Sequence, residues 1–247
     1  MREYRTFAWK EANLRVCSPK ADLIIDELKR LRRILEDYIV RQPDFRFSLL
    51  PIDLLPNAPE ICARMAAAAR PCGVGPMAAV AGAVAEMCVE AAMAEGAREA
   101  IVENGGDIFL ASTDTVLVGL YAGDHPLSGR LALRIPPERL PLSVCSSSSR
   151  FGHSLSFGDC DLATIVARDG ALADAAATLA GNSIKTEADI EPALERVMAI
   201  SGIQAVLVIK GNRVGVAGDL PTLVRAADHK FAGKTFHVEK EGAGQGT

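Results

Sequence analysis

The sequence has no excess of positive charge: 27 Lys and Arg stand against 31 Asp and Glu, a formal net charge of −4. A mildly acidic surface cannot supply the phosphate-neutralising patch that nucleic-acid binding needs, so nucleic acid is excluded as a partner. Long apolar runs are also missing. The longest uncharged stretch, residues 71–85, falls short of a membrane span, and Glu86 and Glu90 follow at once, so no membrane is expected. The N-terminus carries no apolar leader segment and no twin arginine, which predicts a cytoplasmic protein that starts mature. Six cysteines, Cys17, Cys62, Cys72, Cys88, Cys145 and Cys160, never approach CxxC spacing, so buried free thiols are expected in place of a zinc site or a disulfide framework. Three nucleotide and hydrolase signatures are absent too: the GxxxxGK phosphate loop, the GxGxxG dinucleotide fingerprint and the GxSxG elbow.

What remains is a chain of 247 residues with 49% hydrophobic and 23% charged residues, the composition of a globular protein. A chain of this length buries roughly 70 to 75% of its unfolded surface, which predicts a single α+β unit over residues 1–236, with room for two lobes. The Gly-rich, charged end, residues 237–247, is expected to be disordered. Two β-prone runs, 4–9 and 14–17, predict an opening hairpin. Leu23, Ile24, Leu28, Leu31, Leu35, Tyr38 and Ile39 recur at helical spacing and predict an amphipathic helix. Residues 45–52 alternate as a strand, and alanine-rich helices are expected over 60–69 and from Pro76 to Gly96. Strands are predicted at 99–103, 108–111, 116–121, 130–135 and 163–167, then helices at 171–180 and 187–200 and a hairpin of 205–209 with 214–217. Hairpins alternating with helix pairs indicate an α+β fold of antiparallel sheets backed by helix pairs.

Three segments could carry chemistry. Asn104-Gly105-Gly106-Asp107 places two glycines at a strand end between residues able to bond a ligand; a plain hairpin turn is the simpler reading. Asp174 and Thr178 share a helix face at i and i+4, so a carboxylate and a hydroxyl can converge on a hard cation such as Mg2+; an Asp favoured by the helix dipole and a Thr that merely packs is the simpler reading. The serine-rich stretch from Ser143 to Ser156 offers Ser146, Ser147 and Ser148, with Arg150 and His153, to an anion; a polar surface loop is the alternative.

In this order, the three segments resemble the ApbE-like superfamily of Mg2+-dependent flavin transferases. Asn104-Gly105-Gly106-Asp107-Ile108 is similar to the family's N-x-G-G-D-I segment, and Ala173-Asp174-Ala175-Ala176-Ala177-Thr178 is similar to its A-D-A-x-A-T segment. The helix around residues 75–86 resembles a degenerate form of its glycine-bearing helix, and the likeness covers residues 70–185. The resemblance implies a tunnelling-type fold, a metal held by Asp174, Thr178 and the backbone of Ala173, FAD or FMN near residues 104–107 and 146–148, and His153 or Asp107 as a base. It also implies a protein acceptor. Two departures stand out: Gly152–Gly158 replaces the family's D-P-x-T-G segment, and Ala81-Gly82-Ala83 lacks its lysine. These place binding of a flavin or related nucleotide with Mg2+ above transfer. The alternatives are an active FAD:protein FMN transferase or FAD pyrophosphatase, and an enzyme or binder for another small anionic ligand. The small-residue helices leave a homodimer open.

Overall fold

The computed structural model describes residues 2–10, 12–148, 158–226 and 238–240. Strands β1 (Arg5–Trp9) and β2 (Ala12–Cys17) form the expected hairpin. Helix α1 (Ala21–Arg41) buries Ile24, Leu28, Leu31, Leu35 and Tyr38, the predicted apolar stripe. The segment 45–52, expected as a strand, instead begins with the short helix α2 (Asp44–Phe47) and continues as a loop. The cause is Tyr38. Its ring meets Phe45 edge-on at 5.2 Å, its hydroxyl donates to Gln42 Oε1 at 2.6 Å, and Leu55 N donates to that hydroxyl at 3.0 Å. The chain therefore wraps the end of α1 in place of pairing in a sheet.

Helix α3 (Glu60–Cys72) ends on Gly73 at φ 67, the left-handed cap that glycine adopts without strain. A 3-10 turn, Pro76–Ala79, leads into α4 (Val80–Ala94). The span Pro76–Ala94 is long and apolar enough to cross a membrane by length and composition, a match the count of uncharged residues did not anticipate. The chain continues through β3 (Ala100–Asn104), β4 (Asp107–Ala111), β5 (Val116–Leu120), β6 (Leu131–Ile135), β7 (Leu142–Ser147) and β8 (Leu162–Ala167). Then come α5 (Gly170–Ser183), α6 (Ile190–Met198), β9 (Ile203–Lys210), β10 (Arg213–Gly218), β11 (Thr222–Arg225) and β12 (Val238–Lys240). The Pro76–Ala94 span packs against α1, α5, β3 and β4, the environment of a core helix. The strand β12 lies in the stretch that the sequence suggested would have no regular structure; it pairs with β5.

Two antiparallel sheets result, ordered β1-β2-β3-β4-β7-β8-β9-β10 and β11-β6-β5-β12. The larger sheet is apolar on both faces. Along β9, Val206 and Val208 join the core under the helices, while Ala205, Leu207 and Ile209 join a second core with Val116, Val118, Leu133 and Ile135 of the smaller sheet. Strand β7, like β11, is an element the sequence hid. Its serines break the apolar pattern, yet it sits in the middle of the larger sheet between β4 and β8. All six cysteines are free and buried.

Candidate functional site

The β3–β4 turn is a two-residue hairpin closed by the Asn104–Asp107 pair, with Gly105 at φ 69 and Gly106 at φ 112. Positive φ at both central positions is the turn geometry that favours glycine. Asn104 Nδ2 donates to Ala81 O at 3.4 Å, so the turn abuts the first turn of α4. Asp107 enters the sheet almost fully buried, 8% exposed, and its Oδ1 accepts from Ser146 N of β7 at 3.3 Å.

Helices α4 and α5 meet at their N-terminal turns. A Cβ added to Gly170 would lie 2.6 Å from Gly82 O, and one added to Gly82 would strike Gly170 O and Asp174 Cβ. Only glycine allows this approach. Across it, Asp174 Oδ2 accepts from Ala81 N and Gly82 N, each at 2.9 Å, and Glu86 Oε2 accepts from Gly170 N at 2.9 Å. Each helix thus supplies the carboxylate that caps the other's first turn, satisfying orphan amides and matching the positive end of the helix dipole.

Burial dominates the electrostatics. It pushes the Asp107 carboxyl up to about 7, opposed by the Cys145 thiol and the Ser146 amide. It holds Asp174 well above the usual carboxylate range, with the charge of Asp107 adding to the effect and the Gly82 and Ala81 amides opposing it. Glu86 rises to about 7, again chiefly from burial, with the Gly170 amide opposing and Asp169 and Glu90 adding. Asp107 and Asp174 therefore share one low-dielectric neighbourhood and disfavour double ionisation.

The structure brings Asn104, Gly105, Gly106, Asp107 and Ser146 together with the α4–α5 crossing that holds Asp174. Thr178 lies one turn beyond Asp174 and, like it, keeps part of its surface open. Ala173 is fully buried, and its carbonyl belongs to the interior of α5, where the helix ladder uses it. The Ser146 hydroxyl is 2.9 Å from Thr164 Oγ1, and Ser147 packs on α5, where a Cβ on Gly181 would be 3.1 Å from its Oγ. Ser148 follows the end of β7, and His153 falls outside the described residues. Glu86, Cys145 and Thr164 belong to this neighbourhood although the sequence did not single them out for it. For Glu86 a signal exists: it is one of only two charged residues in a helix of otherwise small and apolar side chains.

Among the described residues no group of three His, Cys, Asp or Glu is placed to hold a metal. The oxygen donors nevertheless suit Mg2+, which binds through one or two carboxylates and completes its shell with water and phosphate oxygens. With Asp174 Oδ2 taken by two amides, Oδ1 and the Thr178 hydroxyl are the donors left.

Comparison with known proteins follows the same lines. The family model described as AbpE bacteria matches residues 7–214. The UPF0280 protein of Methanocella arvoryzae is 43% identical over 208 residues, covering 84% of each chain. That of Methanothrix thermoacetophila is 45% identical over 196 residues, 79% of this chain and 82% of the relative. Among solved structures, the apo form of Pseudomonas stutzeri flavinyl transferase ApbE superposes with a TM-score of 0.55 at 13% identity, covering 88% of this chain and 94% of that one. The ApbE protein of Thermotoga maritima gives 0.52 at 12% identity over 91% and 97%. At such identities these two matches show the α+β fold.

Proposed function

This chain belongs to the AbpE bacteria family, and from that premise we propose that its α4–α5 crossing binds a flavin nucleotide, FAD or FMN, together with Mg2+. The observation that carries the reading is that Asp174 and Asn104 both bond to the first turn of α4, which sets Asp174 beside the Asn104–Asp107 turn with Thr178 one turn further along α5. The flavin transferases that share this fold support the choice of ligand. Asp174 and Thr178 would hold the Mg2+, which when bound would supply the charge neutralisation that a pyrophosphate needs.

The chain's own groups divide the remaining work. Asn104 ties the turn to α4, and Gly105 and Gly106 open the backbone to close approach. Asp174 fixes the start of α4, and Glu86 fixes the start of α5.

A second reading, transfer of FMN to a protein hydroxyl with release of AMP, is favoured by one observation. Asp107 closes the β3–β4 turn, and burial holds its carboxyl above the usual carboxylate range, the direction in which a general base gains proton affinity. In that reading the acceptor oxygen attacks phosphorus, the pyrophosphate bond breaks, AMP leaves, and Asp107 takes the hydroxyl proton.

The test is a fluorescence titration of FMN and FAD against wild type and Asp174→Ala, with Mg2+ or with EDTA. The reading predicts binding that Mg2+ tightens at least about tenfold in wild type and leaves unchanged in the variant. Equal affinities in all four conditions would remove Mg2+ from the account. AMP released by wild type would move the conclusion from binding to transfer.

A further inference from the structure

The α4–α5 crossing is reciprocal in sequence as well as in space. Each helix contributes a glycine and, one turn later, a carboxylate: Gly82 and Glu86 on α4, Gly170 and Asp174 on α5. Each carboxylate accepts from the other helix's glycine, Asp174 Oδ2 from Gly82 N and Glu86 Oε2 from Gly170 N, both at 2.9 Å. The helices are therefore tied at two points, a turn apart on each. One tie leaves a hinge about which a helix can pivot; two ties fix its direction.

Gly170, the first residue of α5, is the point where Glu86 acts. Its carbonyl accepts from the Cys145 thiol of β7 at 3.7 Å, a long and weak bond, and the Asp169 cap, which accepts from Leu172 N at 2.8 Å, lies within α5 itself. A Cβ on Gly170 would stand 2.6 Å from Gly82 O and 3.2 Å from Glu86 Cβ, which limits how near the helices come without drawing them together. The side chain that draws the start of α5 onto α4 is Glu86. Asp174 follows Gly170 by one turn and Thr178 by two, so both move with that residue. With Asp174 Oδ2 fixed on the Ala81 and Gly82 amides, the direction left to Oδ1, and the place of the Thr178 hydroxyl beside it, depend on how α5 lies against α4.

We infer that Glu86 is a positioning residue for the cation that Asp174 and Thr178 hold, acting through Gly170, an inference that rests on the reading of the site as a Mg2+ site. Side chains that orient metal donors in this indirect way typically change metal affinity by about 10–100-fold when they are lost.

The experiment is a titration of the metal-stripped full chain with Mn2+, a cation that takes the same oxygen donors as Mg2+ and whose free form is read by electron paramagnetic resonance. Wild type is compared with Glu86→Gln, Glu86→Asp, Glu86→Ala and Asp174→Ala, with circular dichroism and thermal melting to establish that each is folded. Glu86→Gln keeps an oxygen at full reach of the Gly170 amide and is expected to bind Mn2+ within about threefold of wild type. Glu86→Asp keeps the charge but is one methylene short, so it is expected to bind about 10–100-fold more weakly, as is Glu86→Ala. Loss that follows reach and not charge is a pattern that general destabilisation does not produce, and the Gln and Asp variants decide the matter even where the alanine variant fails to fold. Wild type that binds no Mn2+, or binds it no better than Asp174→Ala, overturns the cation site and this inference with it. Binding lost in Asp174→Ala but intact in Glu86→Asp overturns this inference alone. So does Glu86→Gln that binds as weakly as Glu86→Asp.

Discussion

Gly82 of α4 and Gly170 of α5 touch backbone to backbone, and the carboxylates of Asp174 and Glu86 bridge the two helices beside that contact. The whole candidate site depends on this approach, because it sets where Asp174 stands relative to the Asn104–Asp107 turn. Alanine at either glycine has to push the helices apart. Gly82→Ala and Gly170→Ala are each expected to cost about 1–3 kcal/mol, as overpacking in a rigid interior does, read as a fall in Tm of about 2–4 °C per kcal/mol. Either alanine variant melting with wild type would show that the helices have more room than this.

Asp174 has two separable duties, and two substitutions divide them. Asp174→Asn keeps an oxygen for the Ala81 and Gly82 amides but loses the charge; Asp174→Ala loses both. Thermal unfolding should place the alanine variant about 1–3 kcal/mol below wild type, the usual cost of stranding buried donors, and the asparagine variant within about 1 kcal/mol. Both should lose the effect of Mg2+ on flavin affinity. An asparagine variant that still responds to Mg2+ would assign the cation to other oxygens.

The raised Glu86 carboxyl makes a signed prediction about pH. With a folded value of about 7 against an ordinary value of 4.5, the folded chain holds this proton more tightly than the unfolded chain. Stability contributed by Glu86 is therefore complete at low pH and falls as pH rises from about 4.5 to about 7, after which it is flat. Glu86→Gln keeps an acceptor for Gly170 N and removes the titration. After allowance for partial solvent screening, the variant should exceed wild type at pH 8 by about 1 kcal/mol, an advantage that shrinks below pH 5. Melting curves of both proteins at the two pH values decide it, and a constant difference would contradict it.

At the turn, Gly105 has open space around its missing Cβ, so only its φ of 69 resists a side chain. Gly105→Ala is expected to cost about 1–2 kcal/mol, and Gly105→Asn less, since asparagine tolerates the left-handed region. Chemical denaturation measures both, and equal losses would mean that something other than backbone conformation is being tested.

The sequence exposed the longer helices, most strands and the two glycines of the turn because each is a local pattern. Ile24, Leu28, Leu31 and Leu35 mark α1 by their spacing, and Asp174 and Thr178 fall on one face of α5 by residue count alone. Other features depend on distant partners. Strand β7 was hidden by serines whose polarity is satisfied inside the fold: Ser143 Oγ donates to Ile108 O at 3.0 Å, and the Ser146 hydroxyl meets that of Thr164 on β8. Helix α2 replaced an expected strand because Tyr38, on the preceding helix, captures Phe45. The bonds from Glu86 to Gly170 and from Asp174 to Ala81 span 84 and 93 positions, a separation that no local pattern encodes.

The most direct test of the central claim is to add FAD to metal-stripped wild-type protein, with and without Mg2+, and follow flavin fluorescence and AMP together. The account predicts a fluorescence change that saturates and that Mg2+ strengthens, without AMP. No fluorescence change with either FAD or FMN, whether or not Mg2+ is present, would contradict it.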